Sequence, residues 1–213
     1  IIENNFEECI TLITQKEPLG VAHAVKIGRD FLGNDKFLLY LGDNLVGDDL
    51  KTQAKIFENS SLHCCLLLKN IEDPSKFGVA ELDENGKVIE VQEKPINPKS
   101  PFAITGLYFF SNMIHDAIDE IDFSSRGELE ITAAIQWMLK KELSVKGIEL
   151  NDWWVDTGSK NQLLDANENL LLEIFHGKHD ELFSKYSMDG SLIFGENTIL
   201  NNVNVEGPCL IDS

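Results

Sequence analysis

The chain has 213 residues, 43% hydrophobic and 25% charged, which is enough apolar material for a packed core and argues against disorder. Eighteen basic side chains against thirty-six acidic ones leave a net charge of −18, so neither a nucleic-acid backbone nor an anionic membrane is the expected partner. A phosphorylated small molecule stays open, because a bound cation and a few local Lys or Arg can reverse the sign of one cleft.

In chain order, residues 9–13 read as a short strand and 14–19 as a polar loop. Val21, Ala24, Val25, Gly28, Phe31 and Leu32 follow helical spacing, and Gly33-Asn34 ends that helix. The unbroken apolar run 37–41 predicts a central strand buried on both faces of a parallel sheet. Asp48-Asp49 cap a helix reaching about Glu58, and 62–69 is another strand. Two strand-like runs, 77–82 and 87–92, flank Asn85-Gly86, a hairpin signal. A strand over 102–110, a short helix after Asn112, a helix over 129–141, a strand over 143–150 and a long helix over 159–175 complete the pattern. Strands alternating with helices predict a doubly wound, mostly parallel, Rossmann-like sheet, with the hairpin as an antiparallel addition.

After Met188 the pattern changes. Ile193, Ile199, Val205 and Ile211 recur every six residues, which predicts the start of a parallel β-helix with those four side chains stacked inward. The expected organisation is therefore a main domain over 1–183 and the start of a hexapeptide β-helix over 187–213. The chain opens on Ile1 rather than Met and closes at Asp212-Ser213 inside that pattern, so it reads as a piece cut at both ends. Four cysteines, Cys9, Cys64, Cys65 and Cys209, show no metal or disulfide spacing, and no leader or spanning segment is visible. A reducing cytoplasm is the expected setting.

Two carboxylates carry the chemistry. Asp43 follows Gly42 directly after the predicted central strand, where ligands of open α/β sheets bind, and Gly42 lets a ligand approach the backbone. A carboxylate there suits Mg²⁺; the bland alternative is a turn Asp. Asp156 precedes a helix, between Trp153-Trp154 and Thr157-Gly158, and reads either as a residue before a helix cap or as the second half of a magnesium site with Asp43. Glu93 is suited to sugar hydroxyls and Lys94 to a phosphate, against the alternative of an exposed ion pair at a turn. Phe77-Gly78 and Thr105-Gly106 are further points of close approach. His176 and His179 are weaker metal candidates, having no further ligands near them in sequence.

Taken in order, Gln15 with Gly20-Val21-Ala22-His23-Ala24, Leu41-Gly42-Asp43-Asn44, Phe77-Gly78, Glu93-Lys94-Pro95, Thr105-Gly106-Leu107-Tyr108, Arg126-Gly127-Glu128-Leu129-Glu130-Ile131-Thr132 and Trp154-Val155-Asp156-Thr157-Gly158 resemble the sugar-1-phosphate nucleotidylyltransferases, in particular the glucose-1-phosphate thymidylyltransferases. The hexapeptide tail is similar to the left-handed β-helix of longer members. The resemblance implies a GT-A-type fold and the conversion of dTTP and glucose 1-phosphate to dTDP-glucose and pyrophosphate. It implies that Gln15 and Gly20 meet the base, that Asp43 and Asp156 hold Mg²⁺, that Gly78, Glu93, Gly106 and Trp154 line the sugar, and that Lys94 binds its phosphate. It further implies a homo-oligomer for the longer protein. UTP in place of dTTP, with glucose or N-acetylglucosamine 1-phosphate, is a competing expectation, and a non-catalytic regulatory subunit of the same fold is another. The family's G-x-G-T-R phosphate loop does not occur in these residues, so this piece alone is expected not to turn over nucleotide.

Overall fold

The computed structural model describes residues 10–175, 187–189, 192–195, 198–199, 201 and 208–211. The chain divides into two compact units. One contains the chain up to Leu41 together with Asp48–Asn151; the other contains Gly42–Gly47 and the chain from Asp152 onward.

The first unit is a six-stranded sheet with helices packed on it. Its elements are α1 (Val21–Ile27), α2 (Arg29–Leu32), β1 (Phe37–Tyr40), α3 (Leu50–Glu58), β3 (Cys64–Asn70), β4 (Gly78–Leu82), β5 (Val88–Glu93), β6 (Phe102–Phe110), α4 (Met113–Asp119), α5 (Ile131–Lys140) and β7 (Val145–Glu149). The strand order is β5-β4-β6-β3-β7, with β1 also on β6. This mixed α/β sheet corrects the expectation of a mostly parallel one. In this sheet β1–β6, β3–β6, β4–β5 and β4–β6 are antiparallel, and of its described pairs only β3–β7 is parallel. The centre also moves. The run predicted as the central strand is β1, which pairs with β6 alone and leaves Leu38 and Tyr40 exposed. The strand covered on both faces is β3, where Cys64, Cys65, Leu66, Leu67 and Leu68 are all buried. Apolar runs of similar length look alike in sequence; a neighbour on each edge and cover on each face separate them. Burial pushes the Cys65 thiol up to about 12, so it behaves as a core residue.

The Asn85-Gly86 hairpin is as predicted. Asp83 Oδ1 accepts the Asn85 and Lys87 amides, and Gly86 takes φ 74°. The strand predicted over 9–13 is not seen: described residues 10–13 have no regular structure, and Ile10, Leu12 and Ile13 are exposed, with no strand among the described residues paired to them. Lys36 caps the C-terminus of α3, donating to the carbonyls of Phe57, Glu58 and Ser60 at 2.9, 3.1 and 2.7 Å, where the helix dipole favours a cation.

The second unit holds β2 (Asn44–Val46) paired antiparallel with β8 (Trp154–Asp156), then α6 (Lys160–Phe175) and three short strands, β9 (Ser187–Asp189), β10 (Leu192–Phe194) and β11 (Cys209–Ile211). β10 runs antiparallel to β9 and parallel to β11. The inward stack predicted for the tail does not hold: Ile193 is buried against Leu171, Ile174, Phe175 and Leu210, but Ile199 is 87% exposed. Ile193 finds its apolar neighbours on α6 and β11 rather than in a column of six-residue repeats. Val205 lies outside the described residues. No described helix is long and apolar enough to cross a membrane.

One buried group makes the first unit acid-sensitive. His115 on α4 is 4% exposed and stacks on Phe37 of β1, with ring centroids 6.2 Å apart. Burial holds its imidazole below the usual histidine range, and the Arg29 charge acts the same way against Asp116 and Asp119. A folded-state value below the unfolded one means that the unfolded chain takes up this proton first. The contribution is therefore intact above the ordinary histidine pKa of about 6.5 and is lost as pH falls below it. His115→Phe, which keeps an aromatic ring against Phe37, should lose less stability than the parent between pH 7.5 and 5.5, measured as the shift in urea midpoint; an equal loss in both proteins would remove His115 as the cause.

Candidate active site

In the first unit, the segment before α1 is tied to the segment before α5. Leu129 N donates to Leu19 O at 2.8 Å and Ala22 N to Leu129 O at 3.2 Å. Gly20 sits in this clasp at φ 99°, and a Cβ there would lie 2.5 Å from Leu129 O, so no other residue fits. The Gln15 side chain turns back onto Gly20 O at 3.1 Å and His23 Nδ1 at 2.9 Å. The two residues expected to meet a base are therefore in direct contact.

The β4–β5 ladder pairs Gly78 with Glu93. A Cβ on Gly78 would stand 2.9 Å from Thr132 Cγ2, so the glycine lets α5 close over the hairpin. Glu93 Oε2 accepts the Thr132 hydroxyl at 3.0 Å, and Oε1 accepts Arg126 Nη2 at 3.0 Å. Arg126 is shared: its Nε and Nη2 also reach Glu130 Oε1, at 3.1 and 2.8 Å. The Glu130 hydrogen bond and the surrounding carboxylates hold the Arg126 guanidinium above its ordinary range. Beside them Tyr108 is buried; burial, then the Glu93 charge, push its phenol well above the usual tyrosine range. Lys94 is half-exposed, 3.9 Å from Glu93 Oε1, at a left-handed φ of 42° that is uncommon for a residue with a side chain. Its amide is fixed to Phe77 O at 3.0 Å. Thr105 and Gly106 form an irregularity in β6: the β3 register shifts between Leu66 and Leu68, Thr105 Oγ1 donates to Leu67 O at 2.9 Å, and Gly106 takes φ 75° and accepts Leu41 N at 3.1 Å.

The second unit sets Asp43, in the turn just before β2, beside Asp156, the last residue of β8. Asn44 faces Asp156 across the β2–β8 ladder, and the Asp43 carbonyl accepts both Thr157 N at 2.7 Å and Thr157 Oγ1 at 2.9 Å. Asp43 stands in the turn, so strand alternation does not fix where its side chain points; the Asn44 amide ties it down. Asn44 Nδ2 donates to Asp43 Oδ1 at 2.8 Å, and Asn44 Oδ1 accepts the Trp154 indole N–H at 2.7 Å. The Asp43 carboxylate is thus tied to the side chain of Asn44, which bonds Trp154 and stands across the ladder from Asp156. Asp156 Oδ1 takes the Gly158 amide at 3.0 Å. The remaining oxygen of each carboxylate makes no hydrogen bond among the described residues. Trp153 looks elsewhere, bonding Glu173 on α6 at 2.9 Å.

Among the described residues no three His, Cys, Asp or Glu side chains stand close enough to wrap a metal. Two carboxylates with spare oxygens nevertheless fit Mg²⁺, which keeps several waters and takes its other ligands from phosphates rather than from a closed protein cage. His176 and His179 lie outside the described residues. A cavity of about 700 Å³ in the first unit, lined by Lys36, Phe37, Leu50, Phe57 and Phe109 among others, contains none of the residues singled out from the sequence.

The sequence alone assigned Asn44 no role of its own and did not join Arg126 and Thr132 to Glu93. Arg126 and Glu130 are only four residues apart, in the loop that leads into α5. The approach of Arg126 and of Thr132 to Glu93 is long-range.

The family model described as nucleotidyl transferase matches residues 2–173. A glucose-1-phosphate thymidylyltransferase from Streptomyces griseus is 39% identical over 203 residues, covering 95% of this chain and 57% of that protein. The bifunctional protein GlmU of Methanococcus aeolicus is 36% identical over 93% of this chain and 47% of its own length. A solved Bacillus anthracis structure assigned to glucose-1-phosphate thymidylyltransferase superposes with a TM-score of 0.65 at 39% identity, over 72% of this chain and 61% of that one. The chain thus spans about half the length of these curated relatives. With a family model running along most of its residues and relatives of this identity along nearly all of them, the chain belongs to the nucleotidyl transferase family, among the sugar-1-phosphate nucleotidylyltransferases.

Proposed function

We propose that the protein makes dTDP-glucose and pyrophosphate from dTTP and glucose 1-phosphate. One observation carries the reading: Asn44, paired with Asp156 across the ladder, holds the Asp43 carboxylate by a hydrogen bond, and each carboxylate keeps one oxygen without a hydrogen bond among the described residues. That donor pair suits Mg²⁺, which supplies charge neutralisation at the phosphates when bound. The names of the relatives support the choice of nucleotide and sugar.

In this reading the sugar phosphate oxygen attacks the α-phosphate in line and pyrophosphate leaves, so the protein's task is positioning and electrostatics. Asp43 and Asp156 hold the cation. Lys94, fixed in backbone but half-exposed in side chain, meets the sugar phosphate. Glu93, already anchored by Thr132 and Arg126, accepts hydroxyls of the sugar with its remaining lone pairs, and Gly78, Gly106 and Trp154 are the other sugar contacts of this reading. Gln15 and Gly20 meet the pyrimidine. UTP is the second reading, because uracil and thymine present the same imide edge to Gln15.

The tests use the intact gene product. Asp156→Asn should lower kcat by about 10²-fold or more, the scale of one lost electrostatic contact to the transition state. Retention of the parental rate would sink the carboxylate pair. Glu93→Gln keeps the shape of the side chain but weakens its hydrogen bonds to sugar hydroxyls. It should raise KM for glucose 1-phosphate about tenfold, with little change in KM for the nucleotide, as expected for lost ground-state binding. Asn44→Leu should raise the Mg²⁺ concentration needed for half-maximal rate and lower stability by about 1–3 kcal/mol, since it strands the Trp154 N–H and releases Asp43. An unchanged magnesium requirement would show that Asn44 does not position the carboxylate.

A further inference from the structure

The orientation of the Gln15 amide follows from its partners. Gly20 O can only accept, so the amide atom 3.1 Å from it is nitrogen. The same nitrogen lies 2.9 Å from His23 Nδ1, which must then present a lone pair, with the imidazole proton on Nε2. Both Nε2 hydrogens are committed, and Oε1 is the half of the amide left for a ligand. His23 lies on α1, one turn after Gly20, so the helix start delivers both anchors from one short element.

We infer that His23 is a positioning residue that locks the Gln15 amide with its oxygen toward the base, and thereby makes the subsite select imide pyrimidines, thymine and uracil, over cytosine. This rests on the reading of Gln15 as the base contact. Thymine and uracil carry an N3–H donor, which the Gln15 oxygen accepts. Cytosine has an unprotonated N3 at the same place, so lone pair would face lone pair. A glutamine free to rotate by 180° about its last torsion would instead offer its NH₂ to cytosine, and the discrimination would vanish. Rotation in the present arrangement breaks two hydrogen bonds and sets Oε1 against the Gly20 carbonyl and the His23 lone pair. Specificity built on such mismatched polar groups is steep, because the penalty is an unpaired buried group rather than a missing contact.

The experiment measures kcat/KM for dTTP, UTP and dCTP with glucose 1-phosphate in the intact enzyme and in His23→Leu, His23→Ala, His23→Asn and Gln15→Leu variants. Leu and Ala remove the acceptor; Ala guards against a packing fault peculiar to Leu. Asn places a carbonyl oxygen near the position of Nδ1. The dTTP-to-dCTP ratio should fall about tenfold in His23→Leu and His23→Ala, through KM for the nucleotide rather than for the sugar phosphate. It should return toward the parental value in His23→Asn. A ratio unchanged in both Leu and Ala variants, or an Asn variant no better than they are, overturns the lock. If Gln15→Leu also leaves the ratio unchanged, the base reading itself fails. If Gln15→Leu collapses the ratio while the His23 variants do not, the base reading stands and only the role of His23 is lost.

Discussion

The first unit depends on one interruption in one strand. β6 pairs with β3 on one edge, yet its other edge serves two strands, β4 at Ala103 and β1 from Leu107 to Phe110. The change of partner occurs at Thr105-Gly106. Gly106 adopts a φ that a side chain would resist, its carbonyl takes Leu41 N, and the Thr105 hydroxyl reaches across to Leu67 O inside the core. The register shift against β3 on one edge thus falls at the same residues as the handover from β4 to β1 on the other. The irregularity therefore positions two things at once: the hairpin that carries Gly78, Glu93 and Lys94, and the strand whose end leads into Gly42-Asp43.

Charge is the second constraint. A chain with net charge −18 is poorly suited to bind anions. The arrangement around Glu93 shows how local structure counters that excess. Arg126 spans Glu93 and Glu130, so two carboxylates share one guanidinium, and Thr132 takes the other oxygen of Glu93. Lys94 lies 3.9 Å from Glu93 and only half-exposed, at the edge of this network rather than inside it. In the second unit the Asp43 and Asp156 carboxylates have no basic partner among the described ion pairs, which is the condition in which a divalent cation is the natural counter-charge.

Much of this was legible from local pattern. Asp49 as an N-cap, Asn85-Gly86 as a hairpin turn and the helices α3, α5 and α6 follow from the backbone preferences of a few adjacent residues, and those preferences act wherever the segment lies. The ordered short motifs also named residues that prove to be neighbours, Gln15 with Gly20, Gly78 with Glu93, and Asp43 with the strand of Asp156. The parallel sheet and the inward place of Ile199 were misread for one reason. An apolar run states that something must cover it, but not from which direction or in which sense a strand will pair. Phe37–Tyr40 became a half-exposed strand on β6 while Cys64–Leu68 took the centre, and Ile193 packed on α6 while Ile199 met solvent.

What the sequence by itself determined is most of the elements of the first unit with their caps and turns, and which side chains are of a type suited to phosphate, sugar and cation chemistry. These depend on residue type and on interactions a few positions long. Only the tertiary structure decided strand order and sense, the approach of Arg126 and Thr132 to Glu93, and the two amide orientations at Asn44 and Gln15. An amide is both donor and acceptor, and the direction it faces is settled by the Trp154 indole, the Gly20 carbonyl and the His23 ring around it.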